Sequence, residues 1–186
     1  MASQFVQIPQ DTFNDLQMDA GVLLKTFDTT NPDIDDEDII TATTGGVKID
    51  VVPTYSDLGE DVDNCPNNTK ELKHLDGWDV GLSTTALGTS PELIRMSLGA
   101  ADVTAASGKI VPRVDLAQTD FADIWWVGRK AGGGFVAIKI INALATSGFS
   151  LQTTKNGKGQ ISLEIHGHVS IAAQDVVPVE FYSTAA

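Results

Sequence analysis

The stretch "QISLEIHGHVSI" (residues 160–171) alternates between apolar and polar side chains along almost its whole length. In an extended chain, successive side chains point to opposite sides, so its apolar residues share one face and its polar residues the other. The polar face carries one carboxylate and two imidazoles, those of Glu164, His166 and His168. This pattern predicts a half-buried strand at the edge of a core.

The same three polar residues allow a second interpretation, a metal site. His-x-His on a strand places two imidazoles on one face, roughly 6.5 Å apart at the backbone, and Glu164 would supply a third ligand. The solvent-facing side of any half-buried strand gives the same pattern. We therefore interpret the three residues as the solvent-exposed face of a sheet rather than as a metal site. The alternative function is a small metal-dependent β-barrel enzyme that uses Glu164, His166 and His168.

The segments before and after this strand are also short, rich in β-branched residues and separated by turn signals. Gly45-Gly46 predicts a hairpin link between "DIITAT" and the next strand, and Pro53 is expected to end that strand. Asn156-Gly157 suits a two-residue hairpin. The further strands are predicted at residues 20–27, 47–52, 70–84, 109–116, 121–128, 135–141, 148–154 and 177–182.

One helix is predicted over residues 90–99, in "SPELIRMSLG". Ser90 can cap its first turn, Pro91 fits the first helical position, and Gly99 suits the end. Many short strands and one short helix predict a mainly β fold. We expect an antiparallel β-sandwich or partial barrel with one flanking α-helix.

The composition of the chain limits the classes of function that it can have. The chain has 186 residues, which suits one domain, and its formal net charge is −13. Residues 1–76 hold 16 acidic and 4 basic side chains. Such a chain repels a phosphate backbone, because tight nucleic-acid binding needs clustered Lys and Arg. No run approaches the roughly 20 apolar residues of a membrane span, and residues 1–19 lack the pattern of a signal peptide.

No set of residues predicts catalysis. The single cysteine, Cys65, excludes an internal disulfide and lies in an acidic stretch that does not favour a reactive thiolate. The acidic runs "DIDDED" and "DLGEDVDN" lack the spacing of an EF-hand, and the glycine run at 132–134 is not a P-loop. We expect a protein that is not an enzyme and needs no cofactor.

The strand at 135–141 is apolar on both faces, and the adjacent Trp125 and Trp126 point to opposite faces of theirs. A half-buried strand needs one apolar face only. Either the helix covers the second face or another copy of the chain does, and we favour another copy. The predicted contact residues between copies are Trp125, Trp126, Phe135, Ile138 and Phe181.

The order of four segments resembles a known family: "TTGGVKIDVVPTYSDLGEDVDN", "ELKHLDGWD", "DFADIWWVG" and "GFSLQT". From about residue 20 to 183 the chain is similar to the major tail tube proteins of long-tailed, non-contractile bacteriophages, notably those of Gram-positive hosts. The tube subunits of contractile secretion or bacteriocin systems share that architecture and remain an alternative.

The resemblance implies a single tail-tube domain over 20–183, between an N-terminal arm (1–19) and a C-terminal tail (184–186). It implies hexameric rings that assemble in the host cytoplasm and stack into the hollow tail tube of a virion, through which the genome is ejected. A long loop, placed here at 53–69, reaches the adjacent ring. The residues assigned to that contact are Tyr55, Leu58, Glu60, Asp61 and Asp63.

The resemblance also implies partners. They are further copies of the chain, a tape-measure protein, a tail terminator, tail-tip proteins and transiting viral DNA that is not bound specifically, with no membrane. An acidic lumen would let DNA slide without sticking, since like charges repel. The candidate lumen-facing residues are Asp50, Glu71 and Asp79.

Overall fold

The computed structural model describes residues 8–184. Residues 1–7 of the expected N-terminal arm and residues 185–186 of the expected tail lie outside it. Within the described part, one α-helix (α1, Pro91–Leu98) and three 3₁₀ turns (Gln10–Phe13, Lys70–Leu72 and Gln118–Asp120) accompany ten strands. The strands are β1 (Gln17–Leu24), β2 (Ile39–Asp57), β3 (Lys73–Leu87), β4 (Ala101–Thr104), β5 (Lys109–Pro112), β6 (Ala122–Lys130), β7 (Phe135–Ala145), β8 (Leu151–Gln152), β9 (Gln160–His166) and β10 (Val179–Ser183).

Eight strands form one antiparallel sheet in the order β10-β7-β6-β1-β2-β3-β9-β8, and β4 and β5 form a separate hairpin. The sheet closes on itself, because β7 also pairs with β9 through Leu144–His166 and Ala145–Ile165. Six strands, from β7 round to β9, therefore make a barrel. The expectation of a mainly β, antiparallel fold with one flanking helix is confirmed.

The barrel interior is the main core. Leu82, Leu163 and Ile165 are buried there from two neighbouring strands, and α1 packs against one end through Leu93. Aliphatic side chains from every wall of the barrel meet inside it, which supplies the hydrophobic stabilisation of the fold. The helix thus closes one end of the barrel.

A second apolar layer lies outside the barrel, over β1, β6 and β7. Trp125 is its centre and is 8% exposed. The ring of Phe27 meets it at 5.7 Å between centroids, and that of Tyr182 at 5.5 Å. The apolar second face of β7 is therefore not covered by the helix, which was one of the two expected partners. The chain covers it with Phe27, from the segment after β1, and with Tyr182 of β10.

The helix prediction is confirmed at both ends. The Ser90 side chain accepts a hydrogen bond from the backbone N–H of Leu93 at 3.2 Å. Pro91 is the first helical residue, and Gly99 ends the helix with a φ of 73°. A residue with a side chain is strained at such a φ, which explains why glycine ends this helix.

The predicted hairpin at Gly45-Gly46 is wrong. β2 runs without reversal from Ile39 to Asp57, and the two glycines form a bulge, since Thr44 pairs with Thr85 and Val47 with Thr84. Both glycines have positive φ, at 78° and 85°. Two such residues inside a strand accommodate extra residues as a β-bulge and do not reverse the chain.

Pro53 does not end the strand either. It lies within β2, opposite Trp78 of β3. The other edge of β2 has no partner strand at this point among the described residues, and an edge strand tolerates the missing N–H of proline. The connection predicted at 53–69 therefore begins only after Asp57.

Two predictions around residue 160 also need correction. The strand expected over 160–171 ends at His166, because the Gly167 N–H donates to the Val80 carbonyl whereas the His168 N–H donates to Ile141 of β7. Asn156-Gly157 is not a two-residue hairpin. Gln152 pairs with Gln160, so the connection spans 153–159. The remaining predicted strands are present with shifted ends.

No helix in the described part of the chain is long and apolar enough to cross a membrane.

A glycine substitution tests the packing of β1 on β6. Gly21 has a φ of 72°, and an added Cβ would lie 2.5 Å from Trp126 Nε1 and 2.7 Å from the Val127 carbonyl oxygen. Gly45 has a similar φ of 78° but open space around it. We expect Gly21→Ala to lower the free energy of unfolding by about 1–3 kcal/mol more than Gly45→Ala.

Urea denaturation of the two variants measures this difference. The backbone cost of a positive φ, roughly 1–2 kcal/mol, is common to both and cancels. Equal losses in the two variants would contradict the close packing of β1 against Trp126.

Candidate assembly surface

Two strands are longer than the barrel that they help to form. β9 pairs with β3 only from Gly81 to Ala86, and β1 pairs with β2 only near Ile39 and Thr41. Beyond these points β2 and β3 pair with each other as far as Asp57 and Lys73. Residues 52–79 therefore form an arm, a two-stranded hairpin with no flanking strand among the described residues.

One face of the arm continues the apolar lining of the barrel. Val51 of β2 and Val80 of β3 are paired at the barrel end, where both pack in the core. Side chains two positions further along a strand return to the same face. The next pairs on that face are Pro53–Trp78 and, after a bulge, Tyr55–Leu75. In the arm no core lies beneath them, and Tyr55 is 55% exposed and Trp78 39%.

The other face of the arm is polar and continues the outer wall of β2, β3 and β9. Asp50 and Asp79 lie there with Glu164 and His166 around one shallow depression. Lys48 Nζ lies 2.6 Å from Asp50 Oδ2. His166 lies between two carboxylates, with Nδ1 3.4 Å from Asp79 and Nε2 3.5 Å from Glu164. The arm is thus amphipathic, with one apolar and one acidic side.

The tip of the arm, residues 58–72, is held by one carboxylate. Asp57 Oδ1 accepts the N–H of Gly59 at 3.0 Å, and Oδ2 accepts the N–H of Asn68 at 2.9 Å. These bonds, in that order, lower the pKa of Asp57, and the charge of Lys73 adds to the effect. Gly59 is buried, and an added Cβ would lie 2.8 Å from Cys65 Sγ. The tip therefore has a defined shape.

The structure places the five predicted inter-ring residues on the arm. Tyr55 lies on its apolar face, and Leu58 is 63% exposed at the start of the tip. The other three are exposed carboxylates of the tip: Glu60, Asp61 and Asp63.

The three candidate lumen residues separate. Asp50 and Asp79 share the outer wall, on paired strands. Glu71 lies in the 3₁₀ turn at the arm tip, where Lys70 Nζ is 3.4 Å from its carboxylate. A single acidic wall can therefore include Asp50 and Asp79 but not Glu71.

The five residues predicted at a contact between copies differ in exposure. Trp125 is buried within the chain, while Trp126, Phe135 and Ile138 are half-buried. Phe181 is 61% exposed on β10, whose outer edge has no partner among the described strands. A role between copies remains a prediction for all five, and Phe181 offers the most surface for it.

The three residues of the metal interpretation do not share one strand face. Glu164 and His166 lie on β9, but His168 follows the end of the strand and its Nδ1 lies 3.2 Å from the Asn142 carbonyl oxygen. Across residues 8–184, no three His, Cys, Asp or Glu side chains are placed to hold a metal ion. The expected alignment was wrong because the strand is shorter than its alternation suggests.

Sequence reasoning missed Trp78 and Leu75 as surface residues. The signal was present in the sequence, because every second residue is apolar at Val47, Ile49 and Val51. The residues that pair with the continuation of this strand are apolar too. Treating Pro53 as the end of a strand hid the continuation.

No protein-family model matches the chain. No curated protein matches it either. Among solved structures, the chain is similar to one described as "Virion of native gene transfer agent (GTA) particle", with 10% identity and a TM-score of 0.44. The similarity covers 88% of this chain and 96% of that one. The likeness is weak at this score and carries no functional argument.

The hydrogen bonds of Asp57 predict how the tip responds to pH. Because the pKa of Asp57 is lowered in the folded state, its carboxylate stabilises the fold at pH values above the unfolded-state pKa. This stabilisation is lost as the pH falls through the folded-state pKa. We expect the amide NMR shifts of Gly59 and Asn68 to titrate together, with a midpoint below the ordinary value of 3.8.

Asp57→Asn is the control, and it should abolish this shared transition. Two unrelated midpoints, or a midpoint at or above 3.8, would contradict the role of Asp57.

Proposed function

We propose that this chain is a structural protein of a phage-like virion, the subunit of a non-contractile tail tube. Copies form hexameric rings, the rings stack, and the stack is the conduit through which DNA leaves the particle. The observation that carries the proposal is the exposed apolar face of the arm. Inside the barrel the core covers the same row of apolar side chains, but the arm extends beyond that core.

An exposed apolar face of this kind needs a partner. An isolated two-stranded hairpin is marginally stable in water, and contiguous apolar patches are uncommon on monomers. Tyr55, Leu75 and Trp78 on this face, and Leu58 and Val62 at the tip, are each at least 39% exposed. Packing on a neighbouring copy removes these side chains from water.

The edge of β2 also favours association. Over residues 43–57 it has no partner strand among those described, and a free edge this long is a template for pairing. A copy in the same ring satisfies its N–H and C=O groups without exposing a further edge, provided that the ring closes.

The outer wall supports a passage for DNA. Asp50, Asp79 and Glu164 face solvent together, and Lys48 is the cation beside them in this depression. A wall with an excess of carboxylates does not retain a phosphate backbone. The tape-measure protein, tail terminator and tail-tip proteins are the further partners that this function requires.

Shortening the arm tests its role in stacking. Asp57 and Lys73 are paired, so an Asn-Gly turn can replace residues 58–72 and still join the two strands. The barrel should fold normally, as judged by far-UV circular dichroism, but rings should no longer stack when viewed by negative-stain microscopy.

A matched control shortens another hairpin. Replacing residues 153–159 by Asn-Gly between the paired Gln152 and Gln160 should leave stacking unchanged. Normal tubes from the arm-shortened variant would refute the arm's role. An unaltered chain that stays monomeric at every concentration, with no assembly on tail-tip proteins, would refute the proposed function itself.

A substitution on the apolar face tests the contact without changing the backbone. Trp78→Ser removes a side chain that is 39% exposed, so stability of the single copy should change by no more than about 0.5–1 kcal/mol. Buried aromatic anchors at interfaces are worth about 2 kcal/mol or more, so the critical concentration for assembly should rise by about thirtyfold.

Val114→Ser is the control, because Val114 is fully exposed but lies outside the arm. Sedimentation measures the soluble fraction of each variant. Equal critical concentrations for Trp78→Ser and Val114→Ser would contradict packing of the apolar face.

A further inference from the structure

The connection between β8 and β9 carries an asparagine followed by a glycine, Asn156-Gly157. The connection spans 153–159, and residues 153–158 are all exposed. β8 is a two-residue strand at the end of the sheet, held to β9 by two residue pairs. Segments with so little burial open locally at a small cost in free energy.

An Asn-Gly pair can react with itself. The backbone nitrogen of the glycine attacks the side-chain Cγ of the asparagine, and ammonia leaves as a five-membered succinimide ring closes. Water then opens the ring at either carbonyl, which leaves an aspartate or an isoaspartate. One water is consumed and one ammonia is released, so the reaction needs nothing besides the chain and solvent.

The residue after the asparagine decides how readily the ring closes. Glycine has no Cβ to crowd its nitrogen or to restrict the backbone rotation that brings the nitrogen to Cγ. Asn156 is the one asparagine of the seven in the sequence that precedes glycine. Asn31, by contrast, precedes Pro32, which has no N–H to react.

Hydrogen bonding separates Asn156 from other asparagines. Asn68 Oδ1 accepts a hydrogen bond from Lys73 Nζ at 2.9 Å, and Asn142 Nδ2 donates to the His168 carbonyl oxygen at 3.1 Å. The Asn156 side chain has no hydrogen-bond partner within the described part of the chain. It can therefore rotate toward the next backbone nitrogen.

One backbone hydrogen bond opposes the reaction. The Gly157 N–H donates to the Thr154 carbonyl oxygen at 3.0 Å, and this bond must open before the nitrogen can attack. Both residues are exposed, so water can replace the bond during local opening. Asn156 has a φ of 61°, a conformation that asparagine tolerates in turns, so the bond is not reinforced by burial on either side.

We propose that Asn156 is a site of spontaneous deamidation, in which the Gly157 nitrogen is the nucleophile and the products are aspartate and isoaspartate. The inference does not depend on the proposed function, because the reaction needs only the folded chain and water.

The modification changes the charge of the connection. Lys155 and Lys158 give residues 153–159 a formal charge of +2, since the segment has no acidic residue. One new carboxylate lowers this charge to +1. The isoaspartate product also adds a methylene to the main chain, but it does so outside the strands of the barrel. The fold should therefore be retained while the charge of this surface is halved.

Peptide mapping of the aged protein tests the proposal. The full chain is incubated folded at mildly alkaline pH, and its digests are followed by mass spectrometry. We expect loss of the amide at Asn156 before any of the other six asparagines, and labelling of the same peptide by an isoaspartate methyltransferase. The rate should rise with hydroxide concentration, because the attacking nitrogen must lose its proton.

A comparison with the unfolded chain measures how far the fold protects the site. The rate at Asn156 in the folded chain should lie within about tenfold of the rate in guanidinium chloride, because an exposed connection opens easily. The other asparagines in the same digest are internal controls, and Asn142 should react far more slowly folded than unfolded since its side chain is held.

Two variants at one position identify the reacting group. Asn156→Gln should abolish the modification with an unchanged circular dichroism spectrum, because its longer side chain would have to close a less favourable six-membered ring. Asn156→Asp is the reference for charge, and the aged unaltered chain should co-elute with it in ion exchange. Gly157 is left unaltered, since an added Cβ would collide with Thr154 Oγ1.

Three results would overturn the proposal. They are earlier loss of the amide at another asparagine, a folded rate at Asn156 below the stated range, and an Asn156→Gln variant that gains negative charge as fast as the unaltered chain. None of them bears on the role of the arm, so the proposed function stands or falls separately.

Discussion

The structure depends on a mismatch of length between two strands and the barrel around them. β2 has 19 residues and β3 has 15, whereas β9, which pairs beside them, has 7. Inside the barrel their alternating apolar residues have a core to pack against. Beyond it the alternation continues but the core does not, so the same pattern that stabilises the barrel leaves an apolar surface in water. A two-stranded hairpin is only marginally stable in water by itself, so covering the apolar face would stabilise the arm.

Closure of the barrel decides where that covering can occur. Because β7 pairs with β9, most of the sheet has no open edge. The double-faced apolar strand β7 has its outer side covered by Phe27 and Tyr182. The longest free edge among the described strands and six of the exposed large apolar residues lie on one element, the arm. Association through the arm leaves the fold of each copy intact, which suits a subunit that folds before it assembles.

Local signals in the sequence predicted the elements whose causes are local. Ser90, Pro91 and Gly99 identify α1 because capping is decided within a few residues. The alternation at 160–165 identifies β9 for the same reason. Gly45-Gly46 and Pro53 gave wrong predictions. A positive φ suits a bulge as well as a turn, and proline is excluded from a central strand but not from an edge strand. Which of the two applies depends on the partner strands, and these are distant in sequence.

Only part of the candidate surface was predicted, because the rest depends on partner strands that are distant in sequence. The five inter-ring residues do lie on the arm, but its apolar face at Trp78 and Leu75 depends on the register between β2 and β3. Likewise, His168 could not be separated from His166 without knowing that the chain turns from β3 to β7 at Gly167. The burial of Trp125 depends on Phe27 and Tyr182, more than 50 residues away on either side, and no short pattern contains that information.

The direction of the arm has a consequence for how the proposed tube would grow. A two-fold contact would join two arms face to face, cover both apolar faces and stop. A contact between an arm and a different surface leaves one arm and one receiving surface free at the two ends of every stack, so each added ring recreates the site for the next. The ends are then chemically distinct, because only one of them presents the exposed apolar side chains and carboxylates of the arm. Such polarity suits the proposed tail tube, whose two ends would bind different proteins.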